Sequence, residues 1–128
     1  MAQQVLIISQ DGISFFLDEA VVTLCSYVRN EIERDPTLVH QGVVLERVTG
    51  AVVETVLQYC EMHADQEVAV EALHDFDESF LNNVDESGLH ELIMGSRDMG
   101  VGGLLTLATR RANETKAKIP VISHIPRD

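Results

Sequence analysis

The residues with most capacity for chemistry lie in one acidic run. Asp75, Asp77, Ser79, Asn83 and Glu86 occupy the first, third, fifth, ninth and twelfth places of a calcium-loop frame. Such a loop needs Gly at its sixth place for a sharp turn, and Phe80 stands there, a residue suited to packing. Cys60 and His63 have the spacing of two zinc ligands on one helix turn, but a zinc site takes three or four. They read as a core thiol and a surface imidazole. His40, His74, His90 and His124 are scattered without ligand spacing. Gly100-Val101-Gly102-Gly103 has the glycines of a phosphate loop, yet it follows a helical pattern and no Gly-Lys-Ser/Thr comes after it. No Ser, Cys or Lys stands beside a base in a nucleophile motif. The residues specify no catalytic centre, no metal site and no cofactor, so the expected activity is binding.

Composition narrows the partners. The 128 residues fit one domain, and 45% hydrophobic residues fill one modest core. With two Tyr, four Phe and no Trp, that core must be aliphatic. A net charge of −12 repels phosphate backbones and anionic lipid heads, which argues against nucleic acid and membrane. The charge is uneven: residues 1–96 carry 18 acids against three bases, whereas residues 97–128 carry six bases against three acids. Cys25 and Cys60 fall at apolar positions and are expected as buried small hydrophobes in a reducing compartment. No signal peptide or membrane-length segment is visible, and the expected location is cytoplasmic and nuclear.

Periodicity supplies the elements. Val5-Leu6-Ile7-Ile8 is a β-branched run expected to be buried on both faces. Asp11-Gly12 is a hairpin turn signal, and Ile13, Phe15 and Leu17 alternate on the returning strand. Val21, Leu24, Cys25, Val28 and Ile32 predict one helix, ended by Asp35-Pro36. Val43-Val44-Leu45 predicts a third strand; Val53, Val56, Leu57 and Cys60 predict a second helix ending near His63. The expected organisation is a strand-bearing part over 1–64, an acidic loop over 65–75, a helical part over 76–118 and a tail over 119–128. Within the helical part, Phe76 to Leu81 form a short turn, and Asp85 or Ser87 caps a helix carrying Leu89, Leu92 and Ile93. The glycine cluster then separates that helix from a last one through Leu104, Leu105, Leu107 and Ala108. Strands come early and helices late, which is an α+β fold: a short three-stranded sheet with an N-terminal hairpin and about five to six helices.

Three segments together resemble one family. Val5 through Gly12 is similar to its opening strand and Ser-Ser-Asp-Gly turn. Val43 through His63, ending Gln58-Tyr59-Cys60-x-x-His63, is similar to its second strand-and-helix unit. Asp77-Glu78-Ser79-Phe80-Leu81, followed by Asp85 and Leu89-x-Glu91-Leu92-Ile93, resembles its Asp-Gln-Glu-Phe-Leu and Leu-Phe-Glu-Leu-Ile stretch. The family is the Skp-type adaptors (S-phase kinase-associated proteins) of SCF ubiquitin ligases, built on the BTB/POZ fold.

The resemblance, from about Val5 to about Ala112, implies a non-catalytic adaptor joining a cullin N-terminal region to an F-box protein. It implies cullin binding at Arg97, Asp98 and Met99, where the family carries Asn-Tyr in an Ala-Ala-Asn-Tyr-Leu-Asp-Ile helix end. It implies F-box binding at Leu104, Leu105, Leu107, Ala108 and Ala112. After Lys118 the family continues with Thr-Pro-Glu-Glu-Ile-Arg and two helices, whereas this chain has Ile119-Pro120-Val121-Ile122; a C-terminally shortened member is expected. The alternative is a BTB-fold self-association module, a homodimer or competitor without ligase activity.

Overall fold

The computed structural model describes residues 4–118; the tail expected over 119–128 lies outside the described residues. Three strands, β1 (Val5–Ile8), β2 (Ser14–Leu17) and β3 (Val43–Val44), form one sheet in the order β2-β1-β3. β1 and β2 are an antiparallel hairpin with Ile7 opposite Phe15, and β3 runs parallel to β1 with Ile7 opposite Val43. Seven helices complete the described residues: α1 (Glu19–Val22), α2 (Ser26–Arg34), α3 (Leu38–Gln41), α4 (Gly50–Ala64), α5 (Val70–Phe80), α6 (Glu86–Met99) and α7 (Gly102–Lys118). This is the expected α+β class with more helices than periodicity suggests, because α1 and α3 are single turns.

The core is aliphatic. Val5, Ile7, Leu17 and Val43 from the sheet meet Val28 of α2, Val53 and Val56 of α4, Leu92 of α6 and Leu104 of α7. Each such side chain contributes about 1.5–3 kcal/mol by leaving water. β1 departs from its expected burial on both faces: Val5 and Ile7 are buried, whereas Leu6 and Ile8 are only half-buried. The single-turn α3 packs on β1 and gives incomplete cover.

The hairpin turn carries a second function. Ser9 Oγ donates to Asp11 Oδ1 at 2.5 Å and accepts from the Ile13 amide at 3.0 Å. The same Asp11 oxygen accepts from the Gly50 amide at 2.8 Å. Gly50 opens α4, and Thr49 before it makes no side-chain cap. Asp11 is therefore a tertiary cap on the second helix of the resemblance, which is a physical reason for Ser-x-Asp-Gly. The Ser9 hydroxyl, then the Gly50 amide, hold the Asp11 carboxyl below its ordinary 3.8. The folded chain stays charged there at acidities where the unfolded chain takes up a proton. Its contribution is complete above the unfolded pKa and drains away as pH falls through the lower folded value. Asp11→Ala lowers the melting temperature at neutral pH, and the gap from wild type narrows well below pH 3.8. Thermal melts across pH measure both.

Four expectations need correction. The single helix through Val21 and Ile32 is two: Thr23 to Cys25 turn between α1 and α2, because the chain must redirect to keep Val21, Val22 and Val28 in one core. The acidic loop over 65–75 ends early, since α5 begins at Val70. The short turn at Phe76 is the end of that eleven-residue helix. His63, expected as a surface imidazole, is half-buried and held by neighbours. It stacks on Tyr59 with centroids 4.2 Å apart and bonds Asp77 at 2.7 Å. Phe76 and Phe80 stack on each other beside this pair, and four rings thereby clamp α5 onto α4. Long-range ring packing orders a segment whose local pattern is only acidic. The calcium frame falls on α5 from Asp75 to Ser79, where helical geometry splays alternate side chains apart.

Candidate functional site

Helix α6 positions two surfaces. It starts at Asp85, whose carboxylate accepts from the Gly88 amide at 2.7 Å, and stops at Gly100 in the left-handed conformation with φ 76. Leu89, Leu92, Ser96 and Met99 form its buried stripe. The residues on either side of that stripe line two different clefts.

The first cleft lies at the C-terminal end of α6. Tyr27, Leu45, Glu46, Arg47, Val48, Arg97 and Asp98 enclose about 320 Å³. The Asp98 carboxylate is 22% exposed and lies 3.8 Å from Arg47 Nε, so it is an ion pair at long range in a partly wet site. Arg97 is exposed and donates to Met94 Sδ at 3.2 Å. Burial, followed by the charges of Glu31 and Glu46, pushes the Tyr27 phenol up. The corner is held from behind: the Gly100 carbonyl accepts from the Ser26 amide at 3.1 Å and from Ser26 Oγ at 3.0 Å. This places Tyr27, exposed to 39%, beside Asp98. A smaller cleft of about 150 Å³ between α4 and α6 continues the surface past Met94.

The second cleft is a groove of about 770 Å³ between the α5–α6 turn, α6 and α7. Leu81, Val84, Leu89, Ile93 and Ala112 give it an apolar floor, with Glu86, Glu91 and Arg111 at the rim. Leu81 and Leu89 are buried; Val84, Ile93 and Ala112 are half-exposed. Arg111 also donates to the Glu78 carbonyl at 3.1 Å, tying α7 to α5. His90 and Glu91 border both this groove and the smaller cleft, so the two surfaces share one helix.

The residues implied by the resemblance divide by burial. Arg97 and Asp98 reach the first cleft, whereas Met99 is fully buried and cannot touch a partner in this conformation. Its side chain points along the core stripe of α6. Leu104, Leu107 and Ala108 are also buried in the chain's own core. Of the α7 set, Leu105 and Ala112 keep half-exposed surface, and Ala112 lines the groove. Tyr27, Arg47 and Val84 line the clefts without having been singled out by sequence, and Ile93, expected among the apolar positions of its helix, is half-exposed in the groove. Ile93 carried a usable signal: it falls about 100° around the helix from Leu92 and so off the buried stripe. Tyr27 and Arg47 are far from α6 in sequence and carried none.

The sequence model described as "Skp1 family, tetramerisation domain" matches residues 3–65. SKP1-like protein 4 of Arabidopsis thaliana is 31% identical, over 92% of this chain and 78% of that protein. The chain belongs to the Skp1 family. SKP1-like protein 14 of the same plant is 30% identical, over 99% of this chain and 87% of that protein. The match extends beyond residue 65 into the helices that build both clefts, so Skp1-family membership covers the groove as well as the sheet.

Proposed function

We infer that the chain is a non-catalytic adaptor that links an F-box protein to a cullin in an SCF-type ubiquitin ligase. One observation carries this beyond family membership: α6 presents two clefts on either side of its buried stripe. A partner on each cleft is held by one rigid helix, which is what an adaptor without chemistry must provide. The apolar groove takes the F-box helices, because half-exposed Val84, Ile93 and Ala112 over buried leucines suit an amphipathic helix. The Tyr27–Arg47–Arg97–Asp98 surface takes the cullin N-terminal region, with Tyr27 as an aromatic contact where the family's helix end supplies one. Such an adaptor works in ubiquitin-dependent protein catabolism, and we place it in cytoplasm and nucleus.

Ala112→Arg tests the groove. The substitution is on a half-exposed helix face, so stability stays within about 0.5 kcal/mol. The long charged side chain enters the groove, and F-box affinity falls by about tenfold or more. Calorimetric titration with an F-box protein, beside a thermal melt, reads both; unchanged affinity contradicts the groove assignment.

Self-association is the second reading, and one surface favours it. Phe16 is 65% and Val44 49% exposed, and the strand register sets them beside Leu6 and Ile8 on the outer sheet face. Sedimentation across a concentration series separates the readings, since a self-association module gives a dimer without any partner.

A further inference from the structure

Cys25 and Cys60 are separated by 35 residues, yet their Sγ atoms lie 4.0 Å apart in the core. Both thiols are free and fully buried. Cys25 is the N-cap residue of α2, at the corner where α1 ends; Cys60 is on α4. A disulfide needs its sulfurs about 2.0 Å apart, so the two have to approach by about 2 Å from their 4.0 Å separation. Among the described residues the pair has no part in either cleft, and small hydrophobes such as Ala or Val would occupy these core positions without a reactive group.

We propose that Cys25 and Cys60 are a redox pair that closes to an intramolecular disulfide when the folded protein meets a peroxide, fastening the start of α2 to α4. The chemistry balances with hydrogen peroxide as the oxidant. The Cys25 thiolate attacks one peroxide oxygen, the O–O bond breaks, and hydroxide leaves with a sulfenic acid formed on Cys25. The Cys60 sulfur then attacks that sulfur, the S–O bond breaks, and the S–S bond forms. Two thiols are oxidised, the peroxide is reduced, and two waters result once the thiol protons are taken up. Cys25 is suited to the first attack. The thiol–thiol hydrogen bond with Cys60 holds its pKa below the ordinary thiol value, and the first turn of the nine-residue α2 favours a thiolate. The same bond and burial push Cys60 up, so it stays a thiol until the sulfenic acid is formed. Burial limits the oxidant to one as small as peroxide and makes the rate follow local opening of the corner. The residue after Cys25 is Ser26, which holds Gly100, and Tyr27 follows in the first cleft. Closing the bond therefore fixes the back of the surface assigned to the cullin.

The test needs no partner protein and stands apart from the ligase reading. The native chain is treated with hydrogen peroxide, and free thiols are counted, with intact mass and peptide mapping. The expected result is loss of both thiols, loss of two hydrogens in mass, a Cys25–Cys60 cross-linked peptide and a monomer on a non-reducing gel. The melting temperature rises by about 10 °C or more, because the closed loop restricts the unfolded chain, and a reductant reverses it. Cys60→Ala, a small change in volume, leaves Cys25 without a resolving thiol, so neither the two-hydrogen mass loss nor the rise in melting temperature is expected under the same peroxide treatment. Retention of both thiols, oxygen gain at either cysteine of the wild type, or a linkage only between two chains overturns the proposal.

Discussion

Leu104→Ala lowers the stability of the isolated chain by about 2–5 kcal/mol, the cost of a cavity where a fully buried leucine stood. For a domain of this size that is a drop in melting temperature of roughly 7–19 °C. Leu105→Ala, one residue on, removes a half-exposed side chain and costs less than about 1 kcal/mol. The contrast decides what the α7 leucines are for. Helix α7 starts against Tyr59, since a Cβ on Gly103 would run into that phenol oxygen. It then buries Leu104, Leu107 and Ala108 against the rest of the chain. If these residues served a partner and left the core intact, Leu104→Ala would spare stability and remove only F-box affinity. Denaturant titration of the two variants, with no partner present, separates the cases.

Gly100→Ala is expected to be as costly, for a different reason. Gly100 has φ 76, a left-handed conformation that costs an L-residue about 1–2 kcal/mol. An added Cβ would also lie 2.7 Å from the Tyr27 amide nitrogen and press on Ser26 Oγ. Backbone cannot yield as a flexible side chain can, and the strain adds about 1–3 kcal/mol. The α6–α7 corner must then part from the start of α2, with loss of both Ser26 bonds to the Gly100 carbonyl. Tyr27 shifts away from Asp98, so cullin affinity falls together with stability. Gly102→Ala is the control, since nothing lies within 4 Å of its Cβ and it opens a helix. That variant stays within about 1 kcal/mol of wild type. Thermal melts of the two variants measure the difference, and a Gly100→Ala chain as stable as Gly102→Ala would contradict this account of the corner.

The same corner shows which parts of the molecule the sequence made legible. Gly100 reads as a helix break from its neighbours alone, and the apolar stripe leaves Asp85 or Ser87 as its cap, of which Asp85 takes the role. The hairpin follows from Asp11-Gly12, because turn chemistry is local. The role of Asp11 as a cap for α4 is not local: it joins positions 39 residues apart and has no mark in either segment. The Tyr59–His63–Phe76–Phe80 cluster likewise turns an acidic stretch into α5 through ring contacts that periodicity does not encode. The Cys25–Cys60 approach is of the same kind. In the candidate site, Arg97 and Asp98 were legible by resemblance, and their surroundings were not. Asp98 is neither deeply buried nor unpaired, since Arg47 arrives from the segment before α4. Met99, Leu104, Leu107 and Ala108 were named through the matched stretch, and the packing that buries all four in the chain's own core has no mark in that stretch.

On this reading helix α6 holds two partners at once. The direct measurement is size-exclusion chromatography with light scattering of this chain mixed with a cullin N-terminal domain and an F-box protein. One complex with one copy of each is expected, in which Ala112→Arg releases the F-box protein and leaves the cullin bound. A chain that elutes apart from both partners at micromolar concentration would contradict it.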